Sequence, residues 1–261
     1  MPDRVSRSGL IDCIDINHGP PELLTRFFFK AEQEASRIGV TLELGSFPEL
    51  IQANEENKDS WAPLTTAFRH DLGGINDDNG IVVFGRDRTG RIIATYSVRH
   101  FDWSKTDFAT EAEALRLFYA NPERDKRKGE TCRVTAPQGR NLNGYCLYTG
   151  ALWIHPDFRR LELSTILPWT SRAVGCTRWP IDNSFAIIGD YSLAKGLDWK
   201  VGYTEDNVFN GVHLFNNASL PDRDVEFALC VIPRDYLMDG LFRFVTEFSI
   251  EDRAAVNNRT A

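Results

Sequence analysis

Apolar residues recur along this chain with two periods, and the switches between them mark its elements. Leu23, Leu24, Phe27, Phe28, Ala31, Ala35 and Ile38 share one helical face, with Gly19-Pro20-Pro21 ahead of it and Gly39 behind. That spacing already explains the Phe27-Phe28-Phe29 run as core, ahead of a partner surface. Upstream, the alternation over residues 10–16 predicts a short edge strand, and residues 1–9 a loose end. Residues 40–47 alternate as a strand, and Phe47-Pro48 opens a helix reaching Asn57. Residues 61–72 continue less regularly. Two strands, 81–86 and 91–101, form a hairpin across Asp87-Arg88-Thr89-Gly90. Thr110 and Glu113 have capping-box spacing for a helix ending at Tyr119 before Asn121-Pro122. The mixed charges of residues 123–128 predict a solvated loop, and residues 131–135 a further strand.

The stretch from Tyr145 to Gly175 organises the rest. A strand, 145–154, passes through His155-Pro156-Asp157-Phe158 and the pair Arg159-Arg160 into helical spacing at Leu163, Ile166, Leu167, Thr170 and Val174. Such a junction gathers the free N–H groups of a first helical turn with the positive end of the dipole, so Arg160 to Thr165 can hold a phosphate on backbone alone. The forks of Arg159 and Arg160 suit the same anion. Pro168 should kink the helix or confine the anion-binding part to its first turn. A buried strand at 184–189, a helical piece at 191–201 and strands at 208–215 and 225–232 follow.

Composition narrows the function classes. With 261 residues, 42% of them hydrophobic, the chain can bury a full core without disulfide or metal staples. A formal charge of -7 argues against a nucleic-acid partner. Cys13, Cys132, Cys146, Cys176 and Cys230 contain no C-x-x-C pair, so a reducing compartment and no metal are expected. No run approaches the roughly 18 apolar residues of a membrane span, and the first residues are too polar for a signal peptide. A cytoplasmic protein without a membrane partner is expected, with room for a homodimer.

Residues 153–167, WIHPDFRRLELSTIL, resemble motif A of the GCN5-related N-acetyltransferases (GNAT), in which a strand runs through V-x-P-x-(Y/F)-R into an R/Q-x-x-G-x-G/A loop and a helix. His155-Pro156-Asp157-Phe158-Arg159 match, and Ser164 fits the last small position. Glu162 stands at the glycine, and Arg160 at a second place where glycine is common. Farther on, residues 191–203 align without a gap with the family's N-x-x-A-x-x-F/L-Y-E-K-x-G-F. Ala194, Leu197, Lys200, Gly202 and Tyr203 agree, while Tyr191 replaces the asparagine and Asp198 the usual tyrosine, often a proton donor to the departing thiolate. The resemblance covers about residues 40–232. Residues 1–39 then form an extension with a helix, 40–250 the acyltransferase-like domain with an insertion at 104–144, and 251–261 a polar tail.

The resemblance implies an α/β fold: a mixed, mostly antiparallel twisted sheet flanked by helices, with a V-shaped splay where strand 145–154 leaves strand 184–189. It implies acetyl-CoA, or another acyl-CoA, as cosubstrate and a small-molecule or peptide amine as acceptor. The pyrophosphate would lie on Arg159, Arg160, Leu161, Glu162, Leu163, Ser164 and Thr165, and the acyl carbonyl against the backbone of Leu152, Trp153 and Ile154. Transfer to an amine needs that carbonyl polarised, the amine deprotonated and the thiolate protonated or stabilised. Asp190, Tyr191 and Tyr148 are the candidate catalytic groups, with His100 and Asp102 behind them. His155 is expected to make a structural hydrogen bond, and Glu162 to pair with Arg159 or Arg160 outside the groove. A non-catalytic binding or assembly protein of the same fold is the alternative, favoured by Glu162, Arg160, Asp198 and Pro168. A donor of aminoacyl or acyl-carrier type is a third.

Overall fold

The computed structural model describes residues 9–219, 221 and 223–251. The loose end expected at 1–8 and the tail from 252 lie outside these residues. Helix α1 (Pro21–Arg37) buries Leu24, Phe27, Phe28, Ala31 and Ala35 and leaves Phe29 exposed, and Gly39 turns the chain out of it at a φ of 73°. Strand β1 (Thr41–Gly45) leads to α2 (Phe47–Glu56), whose capping box is Ser46 with Glu49. The hairpin is β2 (Gly80–Arg86) and β3 (Ile92–Trp103). The insertion supplies α3 (Phe108–Glu113), α4 (Pro122–Asp125) and β4 (Thr131–Val134). Strand β5 (Gly144–Ile154), α5 (Leu163–Arg178) and β6 (Asn183–Gly189) follow, then α6 (Asp190–Leu193), α7 (Leu197–Lys200), β7 (Val208–Phe215), β8 (Asp224–Pro233) and α8 (Arg234–Glu247).

The eight strands form one sheet in the order β1-β2-β3-β5-β6-β8-β7-β4. Every neighbouring pair is antiparallel except β5 and β6, the two strands joined through α5. That parallel pairing holds only for Cys146↔Asn183, Leu147↔Ser184 and Tyr148↔Phe185. Past Tyr148, β5 stays with β3 to Ile154 while β6 stays with β8 to Gly189, so the sheet opens as a V. A register shift opposite Thr95 to Ser97, with Ala151 at a φ of 54°, bulges β5 at the opening. One core lies between the sheet and α1, α5 and α8, and a second on the opposite face under α2, α3 and the loop before β2.

Several expectations are corrected. Residues 10–16 form no strand: Leu10–Cys13 is a 3₁₀ turn, and Ile11 N–H bonds the Glu32 carboxylate (3.0 Å) instead of a sheet edge. Helix α3 is capped by Asp107, which accepts from Thr110 N–H (2.7 Å), and it ends at Glu113, because Leu115 adopts a φ of 60°. Residues 191–201 are two short helices, broken at Gly196. Pro168 lies inside α5, its missing N–H opposite the Ser164 carbonyl near the helix start, and the sixteen residues form one element, which leaves the expectation of a kink or of first-turn anion binding standing. Helix α8 and the position of β4 at the far edge beside β7 are additions to the expected order.

Glu34 shows how the N-terminal helix is fastened. Its carboxylate is fully buried and takes Lys30 Nζ (2.9 Å), Arg37 Nη1 (3.0 Å) and the N–H of Ile250 (3.0 Å). Burial pushes its pKa up, but these donors outweigh burial and hold it below the ordinary carboxylate value. A depressed pKa contributes stability above the unfolded value of about 4.3 and loses it as pH falls through the folded value. Glu34→Gln should therefore cost about 1–3 kcal/mol at pH 7 in urea unfolding, and the gap to the parent should narrow below about pH 4.

Candidate functional site

The V between β5 and β6 opens into a cavity of about 910 Å³. Tyr148, Thr149 and Gly150 form its floor, at and just past the last β5–β6 pair. One wall is the segment from Ser60 to Phe68, fixed by Trp61 stacked on Trp153 (5.1 Å between centroids, 9° between planes) and by Trp153 Nε1 donating to Ser60 Oγ (3.1 Å). The other wall is the free end of β6 with Ser192, Leu197, Trp199 and Lys200 of the α6–α7 segment. Leu152, Trp153 and Ile154 line the cavity along the part of β5 that has lost its β6 partner, which turns backbone polar groups toward the opening.

At the rim, the chain turns twice through left-handed conformations before α5. Arg160 has a φ of 75° and Glu162 a φ of 59°, the two positions where the sequence resemblance places glycines. Each costs a side chain about 1–2 kcal/mol relative to a glycine. The loop therefore holds a glycine-like conformation without glycine. Thr165 and Ile166 return their N–H groups to the Glu162 carbonyl (2.9 and 3.0 Å), leaving those of Leu163 and Ser164 as the first-turn groups without a helical partner.

Arg159, Arg160, Glu162 and Ser164 line the cavity, whereas Leu161, Leu163 and Thr165 do not; Leu163 is buried in the core. The Arg159 guanidinium crosses the mouth, donating to the carbonyls of Ile154 (3.3 Å) and Ser60 (3.5 Å). Glu162 lines the cavity, and its carboxylate accepts from the Thr165 hydroxyl at 3.5 Å, over the helix start. His155 caps the turn after β5, its Nδ1 accepting from Asp157 N–H (3.3 Å). Arg159, Arg160 and Lys200 make the lining positive against one carboxylate, Glu162.

Of the candidate catalytic groups, Tyr148 alone lines the cavity. Its ring stacks on Phe185 at 4.8 Å, and burial raises its phenol well above the usual tyrosine value, with the nearby Arg99 charge only partly offsetting this. Burial pulls Arg99 itself down to about 10, still charged at neutral pH. Asp190 is exposed, and Tyr191, 75% exposed, holds Lys195 by its hydroxyl and its ring outside the lining. His100 stacks on Trp179 beyond the cleft, and Asp102 bonds the N–H of Ser104 (3.0 Å). Sequence spacing missed Trp61, Phe68, Tyr96 and Thr149, which come from separate elements and carry no local motif.

No protein-family model matches this chain, and no curated protein does. Among solved structures it is similar to NAA60 of Arabidopsis thaliana in complex with acetyl-CoA (10% identity, 75% of this chain, 99% of that one, TM-score 0.43). It is also similar to a spermidine N-acetyltransferase from Vibrio cholerae (10% identity, 77% and 96%, TM-score 0.42). A third is a GNAT-superfamily phosphinothricin acetyltransferase from Sinorhizobium meliloti in complex with acetyl-CoA (14% identity, 75% and 88%, TM-score 0.41). This chain's own strand order, its single parallel pair and the V past Tyr148 are the α/β architecture that the motif resemblance implies.

Proposed function

We propose that this chain is a divergent GCN5-related N-acyltransferase that moves an acetyl or other acyl group from a coenzyme A thioester to an amine. The observation that carries this is the rim: two non-glycine residues held in left-handed backbone at the start of a helix, where a phosphate-binding loop needs that shape and a scaffold does not. In this reading the pyrophosphate lies on the first-turn N–H groups of Leu163 and Ser164 and on Arg159 and Arg160. The pantetheine arm runs down the V, and the thioester carbonyl meets the unpaired backbone edge of β5 near Leu152 to Ile154. The amine enters beside Trp61 and Phe68, and Tyr148 on the floor is the nearest of the candidate groups to orient it.

The opposing observation is Glu162, a carboxylate on the wall of an anion site; it favours a fold retained for binding without turnover. Incubating the protein with acetyl-CoA and a panel of primary amines separates the two: amine-dependent release of free thiol supports transfer, and none above the amine-free rate supports the binding protein. Arg159→Ala should weaken coenzyme A binding by about 1.5–3 kcal/mol, the worth of a charge-assisted hydrogen bond. Unchanged affinity in calorimetry removes Arg159 from the site.

A further inference from the structure

Behind the floor of the cleft lies a guanidinium whose hydrogen-bond and ring partners among the described residues include no anion. Arg172 of α5 is fully buried. Its Nε donates to Ser184 Oγ (3.2 Å) and its Nη1 to the Val201 carbonyl, and the rings of Trp169 and Tyr203 lie 5.3 and 5.1 Å from its central carbon. Among the described residues, Nη2 has no well-formed hydrogen bond, though the Tyr203 hydroxyl lies beside the guanidinium and helps hold it charged. A buried charge without a counter-ion is costly, and it leaves an uncompensated positive field in the interior.

Hydroxyl groups link that field to the cleft. Thr149 Oγ1 gives its single proton to the Phe185 carbonyl (3.2 Å), so both phenols beside it must donate: Tyr96 at 3.0 Å and Tyr203 at 3.4 Å. Tyr96 and Thr149 line the cavity, and Thr149 follows the last paired residue of β5, at the apex of the V. All three protons are taken within the cluster, so the apex presents a donor backed by a cation only when Tyr96 turns its O–H from Thr149, which Tyr203 still supplies. Burial raises the phenol pKa of both tyrosines, the Arg172 charge offsetting it only in part, so both keep their protons at neutral pH.

We propose that this cluster stabilises the thiolate leaving group: Tyr96 turns its O–H from Thr149 to the sulfur of coenzyme A as the thioester breaks, with Arg172, Tyr203 and Thr149 as positioning residues. This rests on the acyltransferase reading above. The amine nitrogen bonds to the carbonyl carbon, and the C–S electron pair passes to sulfur. The surplus amine proton leaves to water in the open cleft. The thiolate is held by the Tyr96 O–H and the Arg172 field, and takes a proton from solvent on release.

The test compares coenzyme A with desulfo-coenzyme A, which lacks the sulfur, by calorimetry between about pH 6.5 and 9.5. A site that favours the thiolate depresses the bound thiol's pKa. Its advantage is then complete above the pKa of the free coenzyme A thiol, disappears below the bound value, and amounts to tenfold per unit of depression. The titratable groups facing the cluster are Cys176 on α5 and Cys230 on β8, both pushed by burial up to about 12, and Tyr148 on β5, raised likewise; the charges of Asp198 on α7, Arg234 on α8 and Arg99 on β3 act on these three. Charges on the rim (Arg159, Arg160, Glu162 and Lys200) act on both ligands and cancel in the ratio.

The affinity ratio of coenzyme A over desulfo-coenzyme A should rise about tenfold or more across this range in the parent protein. Tyr96→Phe should reduce that rise by about threefold or more without weakening desulfo-coenzyme A, and Arg172→Met, which keeps an apolar stem in place, should abolish it. A flat ratio in the parent overturns this proposal and leaves the acyltransferase reading standing. Failure of both ligands to bind overturns both. A rise unchanged in Tyr96→Phe overturns the assignment to this cluster.

Discussion

Glu130→Ala is expected to destabilise the protein by about 3–5 kcal/mol, the largest loss foreseen for any single surface-remote polar group. Glu130 is 3% exposed, and its carboxylate takes the Tyr119 phenol on both oxygens (3.0 and 2.8 Å), Asn217 Nδ2 (2.7 Å) and the Arg127 N–H (2.9 Å). Alanine would leave these donors buried or half-buried without an acceptor, and unpaired buried donors cost about 1–3 kcal/mol each. The residue matters because of what it joins: Tyr119 belongs to the insertion, and Asn217 follows β7 at the far side of the sheet. Tyr119→Phe should cost less, about 1–2 kcal/mol, since Asn217 and Arg127 keep their acceptor. Urea midpoints read both losses, and a change under 1 kcal/mol for Glu130→Ala would show that this network does not hold the insertion in place.

Glu162→Gly is expected to raise affinity for coenzyme A by about tenfold or more. A carboxylate about 4 Å from a phosphate repels it by roughly 1 kcal/mol in water and several times that in a partly dry groove, and 1.4 kcal/mol is a factor of ten. Glu162 lines the cavity and its carboxylate stands over the helix start beside the Thr165 hydroxyl, so the expected gain follows where that charge faces the bound anion. The same substitution relieves a left-handed backbone at a φ of 59°, worth about 1 kcal/mol of stability. Both gains should appear together, in calorimetry and in thermal unfolding. A more stable variant with unchanged affinity would mean that the anion does not approach this turn.

The contrast between Arg160-Glu162 and the helix they precede shows what a sequence discloses. Helix α1, the β2–β3 hairpin and β5 are legible because their apolar spacing is local and is the same before and after folding. The left-handed turns at Arg160 and Glu162 are not, since side chains of this type ordinarily argue against that backbone; the surrounding strand–turn–helix imposes it. Residues 10–16 alternate like a strand, yet the Glu32 carboxylate takes the Ile11 N–H and the segment coils. Thr110 has capping spacing, but Asp107 lies three residues ahead and takes its N–H. Tyr191 occupies an aligned position, and alignment fixes no side-chain direction; it points to Lys195 and solvent. The cluster of Tyr96, Thr149, Arg172 and Tyr203 joins β3, β5, α5 and the turn after α7, contacts that exist only once the sheet has formed.

The central claim is that the V between β5 and β6 holds an acyl-coenzyme A, and titrating the protein with acetyl-CoA by calorimetry tests it most directly. One-to-one saturable binding with Kd at or below about 1 mM, within the range enzymes keep for their substrates, is the result this account predicts. It should weaken in Arg159→Ala and strengthen in Glu162→Gly. No heat of binding at millimolar acetyl-CoA, in the parent and in Glu162→Gly alike, would contradict it.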